Sequence, residues 1–195
     1  MVNRIHFMKS KGYRLLVFSL LWIASCVPAS SYYFDSTMDF AAVKRVAIMP
    51  FSNLSTDKMA AHRVRDVLVN RLMASGAVYV LPSGETARGI DRVAMINPSA
   101  PSNDEIAKFG ALIDVDAVIT GAVREYGEVR SGGAYGNVIS FSLQMIEIQK
   151  QKIIWTASTT KGGINIWDRL FGGGGRPMND ITEKAVNDVV AKLLY

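Results

Sequence analysis

The sequence predicts a layered α/β (α+β) fold, with a mixed sheet of about five strands and helices packed on it. Two observations lead to this prediction. In the first half of the chain, short β-branched segments alternate with segments of helical periodicity, and two long strand-like segments follow one another in the second half. We see no internal repeat.

The first half opens with a strand predicted over residues 43–51. This segment is apolar on both faces, which is typical of a central strand covered by helices. A helix over residues 56–76 follows, with apolar residues at helical spacing and Gly76 as its C-terminal stop. A second, short strand is predicted over residues 77–82.

Two further helices are expected before the long strands. The first is a short helix between residues 83 and 97. The second begins at a capping box, S-x-x-E, formed by Ser102 and Glu105, in which each side chain satisfies a free backbone amide. Apolar residues at helical spacing carry this helix to Ile113.

Three strands are predicted next, and they cover residues 116–129, 137–149 and 152–160. In the middle one, apolar residues alternate from Ile139 to Met145 and then change parity at Ile146. This change indicates either a bulge or a strand covered on both faces at one end. After an irregular loop over residues 162–177, Asn179 is predicted to cap a final helix.

The most apolar stretch of the chain is LLVFSLLWIASC, which ends at Cys26. It is too short for a membrane-spanning helix, which needs about 20 apolar residues. A basic, acid-free start, a short apolar core and small residues at its end are typical of a secretory signal peptide. The sequence therefore predicts a signal peptide over residues 1–25, a tether over 26–42 and one domain over 43–195.

The end of this leader, IASC, also resembles the bacterial lipobox. The resemblance implies cleavage before Cys26, diacylation of its sulfur (with palmitate-type chains) and acylation of the new amino group. The alternatives are an ordinary signal peptide or a buried cysteine. Lipidation is favoured because a lone cysteine in a periplasmic chain would otherwise be an unpaired thiol.

Loss of the leader changes the charge of the protein. The whole chain has 22 Lys and Arg against 17 Asp and Glu, and four of the basic residues lie before Cys26. The mature chain therefore carries 18 basic and 17 acidic residues, which excludes a strong electrostatic footprint for nucleic acid.

Three segments carry a family resemblance: VKRVAIMPFSNLS, DVDAVITGAVREYGEV and IIWTAS. They resemble the CsgG/LpoB/TolB N-terminal-like envelope lipoproteins, including the small neisserial-antigen type. The resemblance implies a CsgG- or TolB-N-like fold for residues 43–195. It also implies a non-catalytic outer-membrane lipoprotein that faces the periplasm, is anchored at Cys26 and binds proteins as an accessory or scaffold in cell-envelope assembly. Val27, in place of aspartate, favours the outer membrane.

The alternative is a subunit of a CsgG-like oligomeric secretion or transport complex. A CsgG-type pore needs two membrane hairpins per subunit, with strands of about 9–11 residues. The link over residues 128–136 is too short to form such a hairpin. The loop over residues 162–177 is too rich in glycine to form one. An LpoB-like activator has a longer tether than this chain. With both functions considered, the expected partners are an envelope protein or further copies of this chain.

Catalytic chemistry finds little support in the sequence. His62 is the one histidine after the leader, so a His/Cys metal cluster or a nucleophile–histidine triad is not expected. Gly172–Gly175 lack the lysine of a phosphate-binding loop. A polar turn explains Asp114 and Asp116, and a solvated strand edge explains Glu125 and Glu128. We expect no catalytic residue, cofactor, metal or small-molecule substrate, and an envelope hydrolase is disfavoured.

One apolar segment stands out within the irregular loop. It contributes four large side chains: Ile166, Trp167, Leu170 and Phe171. Such groups either cover a sheet edge or, if exposed, form a partner-binding or membrane-touching patch. The sequence leaves both interpretations open.

Overall fold

The computed structural model describes residues 31–164 and 175–194, which form a seven-stranded mixed sheet with four α-helices packed on it. The predicted layered fold class is confirmed. The strands are β1 (Tyr32–Phe34), β2 (Arg45–Ile48), β3 (Ser52–Asn53), β4 (Tyr79–Val80), β5 (Ala117–Ser131), β6 (Ala134–Glu147) and β7 (Lys152–Gly162). The helices are α1 (Ala60–Ser75), α2 (Ser83–Val93), α3 (Asn103–Ile113) and α4 (Met178–Leu194), with a 3-10 turn at Phe40–Ala42.

The sheet combines a parallel and an antiparallel half, in the order β1-β7-β6-β5-β2-β4, and β3 also pairs with β5. Strand β2 runs parallel to both β4 and β5. Strands β5, β6, β7 and β1 are antiparallel to their neighbours. The crossovers that parallel pairing requires are supplied by α1, α2 and α3.

Helices α1 and α4 pack on one face of the sheet. The buried residues between them include Val46 and Ile48 from β2, Phe141 from β6 and Trp155 from β7. Each of these side chains is 1% exposed or less. Burial of such apolar area is the main source of the stability of this layer.

Helices α2 and α3 cover the opposite face at one end only. Phe109 of α3 is fully buried there against β-strand residues such as Val118 and Ile146. The remainder of this face, across β5, β6, β7 and β1, has no helix on it among the described residues.

This partial cover explains the change of parity in β6. The apolar residues Ile139, Phe141, Leu143 and Met145 point to the α1–α4 layer, whereas Ile146 and Ile148 point to the α2–α3 layer. The pairing of β6 with β7 also shifts register between Met145 and Ile146, where β7 has one extra residue, Ile154. Both predicted causes are therefore present.

Helix α3 is fixed by its N-terminus and by close packing. The predicted capping box is confirmed: Ser102 Oγ accepts a hydrogen bond from the Glu105 amide at 3.4 Å, and Glu105 Oε2 accepts from the Ser102 amide at 2.8 Å. A Cβ at Gly110 would lie 2.3 Å from Ile148 Cγ2, so this helix sits closer to β6 than any larger residue allows.

Several local predictions need correction. Asn179 does not cap the last helix, because α4 begins one residue earlier, at Met178, directly after Pro177. Residues 128–136 are not a free link, since β5 and β6 run through them and turn at Gly132. Within the segment predicted as a tether, β1 pairs with β7.

No helix of the described residues is long enough and apolar enough to cross a bilayer.

Candidate interaction surfaces

The residues predicted as sites lie outside the described ranges. These are the lipidation residue Cys26 and the partner-binding residues Ile166, Trp167, Leu170 and Phe171. The structure therefore assigns them no geometry, and both predictions stand as proposals below.

The two ends of the segment carrying Trp167 are nevertheless held together. The Gly163 amide donates to the Asn137 carbonyl at 2.7 Å, and the Asn137 side-chain amide donates to the Arg176 carbonyl at 2.9 Å. A Cβ on Gly136 would lie 2.6 Å from the Gly163 carbonyl oxygen. Gly163 and Gly175, which flank residues 165–174, therefore both lie beside the start of β6.

The uncovered face of the sheet forms a polar groove, with a volume of about 400 Å³. Its floor consists of two rows of side chains that cross four strands in register. The first row is Thr120, Gln144 and Thr156, which Tyr33 continues beyond the groove, and the second is Ala122, Ser142, Ser158 and Ser31. Ser52 and Ser99 form one wall, and their hydroxyls are hydrogen-bonded at 3.1 Å.

A second cavity of about 670 Å³ continues this groove towards β1. The two cavities share Gln144 and Thr156, and the second adds Tyr33, Asn103 and Gln151. The groove is therefore elongated across the strands. Sequence reasoning missed it, because alternating serine and threonine in one strand indicate only a solvated face.

An apolar groove of about 830 Å³ lies on the other side of the sheet, between β1 and the end of α4. Tyr32 and Phe34 line it from β1 and are 62% and 43% exposed. Phe34 stacks on Phe40 with ring centroids 3.9 Å apart, and the Lys192 ammonium lies 5.5 Å from the Tyr32 ring.

An ion pair between buried Asp35 and exposed Lys152 holds the chain after β1 against β7. The Asp35 carboxylate accepts hydrogen bonds from the Thr37 hydroxyl at 2.7 Å and the Thr37 amide at 3.0 Å, and Lys152 Nζ lies 2.5 Å away. These contacts, Lys152 first, hold the pKa of Asp35 well below its usual range and raise the pKa of Lys152. The pair therefore has a structural role, joining the end of β1 to the start of β7.

The other polar residues considered in the sequence have structural positions. Asp116 Oδ2 accepts the amides of Lys44 and Arg45 at 2.8 Å each, which joins β2 to β5. His62 is exposed on α1. Within residues 31–164 and 175–194, no group of three His, Cys, Asp or Glu side chains is placed to hold a metal ion.

The sequence matches the profile of a family described as the peptidoglycan-synthase activator LpoB over residues 29–160. Since this match spans more than half of the chain, the protein belongs to the LpoB family. Membership supports the coarser prediction, a non-catalytic accessory protein of the cell envelope. The predicted likeness to CsgG and TolB is not separately confirmed.

Solved structures show the same fold at low identity. The PelC dodecamer from Paraburkholderia phytofirmans is 15% identical with a TM-score of 0.57, covering 84% of this chain and 96% of that chain. Lipoprotein GNA1162 from Neisseria meningitidis is 17% identical with a TM-score of 0.53, covering 77% and 98%. The hypothetical protein CT253 from Chlamydia trachomatis is 13% identical with a TM-score of 0.52, covering 77% and 95%. No curated protein matches the sequence.

Proposed function

We propose that the protein is an outer-membrane lipoprotein, anchored at Cys26 and facing the periplasm, that acts without catalysis by binding a peptidoglycan synthase. The observation that carries this proposal is the match to the LpoB family over residues 29–160. The predicted leader supports the export that such a role requires.

The position of β1 supports an anchor close to the domain. Strand β1 starts at Tyr32, and the Ser31 carbonyl already accepts a hydrogen bond from the Ser158 amide at 2.9 Å. Five residue steps separate Cys26 from Ser31, which corresponds to at most about 18 Å of extended chain. A lipid on Cys26 thus keeps the sheet near the membrane surface.

Mass spectrometry of the protein purified from membranes tests the anchor. We expect a mature chain that begins at Cys26 and carries acyl chains, and a Cys26→Ser variant that stays unacylated. A mature wild-type chain with a free Cys26 thiol contradicts the proposed anchor.

For the contact with the partner, we propose the loop that contains Trp167 and Phe171. The proposal is supported by the flanking residues, since Gly163 and Arg176 are both hydrogen-bonded to Asn137 of β6. Trp and Phe are frequent anchors of protein interfaces. Serine at both positions is expected to abolish binding to the synthase without lowering the melting temperature.

Ile96→Ser is the matched control, because Ile96 is a large apolar residue that is 95% exposed elsewhere on the domain. It should leave synthase binding unchanged. If the Trp167→Ser/Phe171→Ser variant instead loses several degrees of thermal stability, these side chains cover the sheet edge and the interface must lie elsewhere.

The alternative function is that of a subunit in an oligomeric secretion or transport complex. It is favoured by one observation, the shared fold with PelC, which forms a dodecamer. Native mass spectrometry of the lipidated protein in detergent separates the two. A closed ring of defined size with no synthase binding supports the alternative, and a monomer that binds the synthase supports the first proposal.

A further inference from the structure

The polar groove offers hydrogen-bonding groups that no other described residue uses. Gln144 and Thr156 are cross-strand neighbours at its centre, and both are half-buried. Neither side chain makes a hydrogen bond to another described residue, unlike Ser142, which accepts from Arg124 at 3.2 Å. Within the part of the chain that the structure describes, this half-buried amide and this hydroxyl are therefore available to a ligand.

The charge of the groove narrows the class of ligand. None of the described residues that line its 400 Å³ part has an ionisable side chain, and Arg124, which reaches its floor, is hydrogen-bonded to Ser142. Lys152, at the far end of the continuation, is engaged by Asp35. A nucleic acid or other polyanion needs cationic side chains, and a lipid tail needs an apolar lining, so neither fits these residues.

The residue types also argue against a protein occupant. Cores of protein interfaces are enriched in aromatic residues, Met and Arg and depleted in Ser and Ala. The floor of this groove shows the reverse composition, with Ser31, Ser142, Ser158 and Ala122 in one row. Hydroxyl and amide side chains both donate and accept hydrogen bonds, as the hydroxyl and acetamido groups of sugars do.

We infer that the polar groove binds an uncharged, N-acetylated glycan chain. The elongated shape across β5, β6, β7 and β1 suits a chain rather than a single sugar. Gln144 and Thr156 bind its polar groups at the centre, and Tyr33, which is 48% exposed at the end of the same row, offers a ring face for a sugar to stack on. This inference goes beyond the proposed function and holds whether or not a synthase is the partner.

The test is an NMR titration of the full mature chain with a tetramer of β-1,4-linked N-acetylglucosamine. We expect saturable shifts of backbone amides in the two rows. Gln144→Ala and Thr156→Val should each weaken binding roughly three- to tenfold, the loss of one hydrogen bond. Thr160→Val is the matched control, because Thr160 lies on the same strand and face but outside the groove, and it should leave the affinity unchanged.

Three results would overturn the inference: no saturable binding of the tetramer, equal binding by the Gln144→Ala and Thr156→Val variants, or tighter binding of an acidic oligosaccharide such as oligogalacturonate. Shifts in the rows that depend on protein concentration alone would show a second copy in the groove, which also overturns it. Gln144→Glu keeps the size of the side chain, so it serves as the groove variant should Thr156→Val fail to fold.

Discussion

The packing of α3 on β6 leads to a quantitative prediction for Gly110→Ala. Gly110 lies within α3 and is buried against Ile148, the residue directly after β6. In an exposed helix, alanine in place of glycine stabilises by up to about 1 kcal/mol, because glycine loses more backbone entropy on folding. Here, the added methyl carbon would lie 2.3 Å from Ile148 Cγ2 and 3.0 Å from Ile148 Cδ1.

This overlap is expensive to relieve. Cγ2 is attached directly to the Ile148 β-carbon, so it moves only if the whole side chain changes its χ1 rotamer or the helix shifts. Overpacking of a dense core costs about 1–3 kcal/mol. After the helical gain is subtracted, we expect Gly110→Ala to lower the unfolding free energy by about 1–2 kcal/mol. In a domain of this size, that is a fall in Tm of roughly 2–8 °C.

Thermal and urea denaturation of the mature chain measure this effect. Gly84→Ala is the control, since a Cβ at Gly84 in α2 meets no atom within 4 Å, and it should raise the Tm slightly. The Gly110→Ala/Ile148→Ala double variant should lose less unfolding free energy than the sum of the losses in the two single variants. The reason is that Ile148→Ala removes the side chain that clashes with the added methyl group. A Tm that rises in Gly110→Ala as it does in Gly84→Ala would refute the reasoning.

Three further predictions concern the ends of elements. Ser102→Ala removes the N-cap of α3 and should lower the unfolding free energy by about 1 kcal/mol in urea denaturation. Arg65→Met should cost about 1–2 kcal/mol in the same assay, because the half-buried guanidinium donates two hydrogen bonds, of 3.1 and 2.9 Å, to the Ile48 carbonyl. The lowered pKa of Asp35 means that its carboxylate stabilises the fold fully above about pH 4 and that this contribution is lost progressively as the pH falls further. Asp35→Asn should therefore lower Tm at neutral pH and flatten its decline in acid.

Each of these predictions has a distinct contrary result. An unchanged midpoint in Ser102→Ala would mean that packing alone starts α3. A neutral Arg65→Met would mean that water replaces the guanidinium at the Ile48 carbonyl. If the Tm of Asp35→Asn and that of the wild type changed in parallel with pH from 2 to 7, protonation of Asp35 would not be coupled to folding.

Much of the fold follows from local sequence signals. The capping box at Ser102 and the glycine stop at Gly76, which has φ of +64°, need only neighbours in the chain. The five predicted strands are all present for the same reason: their apolar runs are long or bounded by turn residues. Features of this kind are encoded within one element.

What the sequence did not reveal depends on pairing between distant segments. Strand β1 is three residues long, too short for a period, and it exists because Tyr33 pairs with Thr156 of β7. The polar groove likewise depends on register, which places Gln144 beside Thr120 and Thr156. A single strand with alternating serines cannot show that its polar face is aligned with those of its neighbours.

Activation of a peptidoglycan synthase from the same cell envelope is measured as the rate of glycan polymerisation with and without the lipidated protein. The rate is expected to rise with added protein and saturate, and to stay at its basal value with the Trp167→Ser/Phe171→Ser variant. A basal rate at saturating concentrations of folded wild-type protein, with no complex formed, would contradict the proposed function.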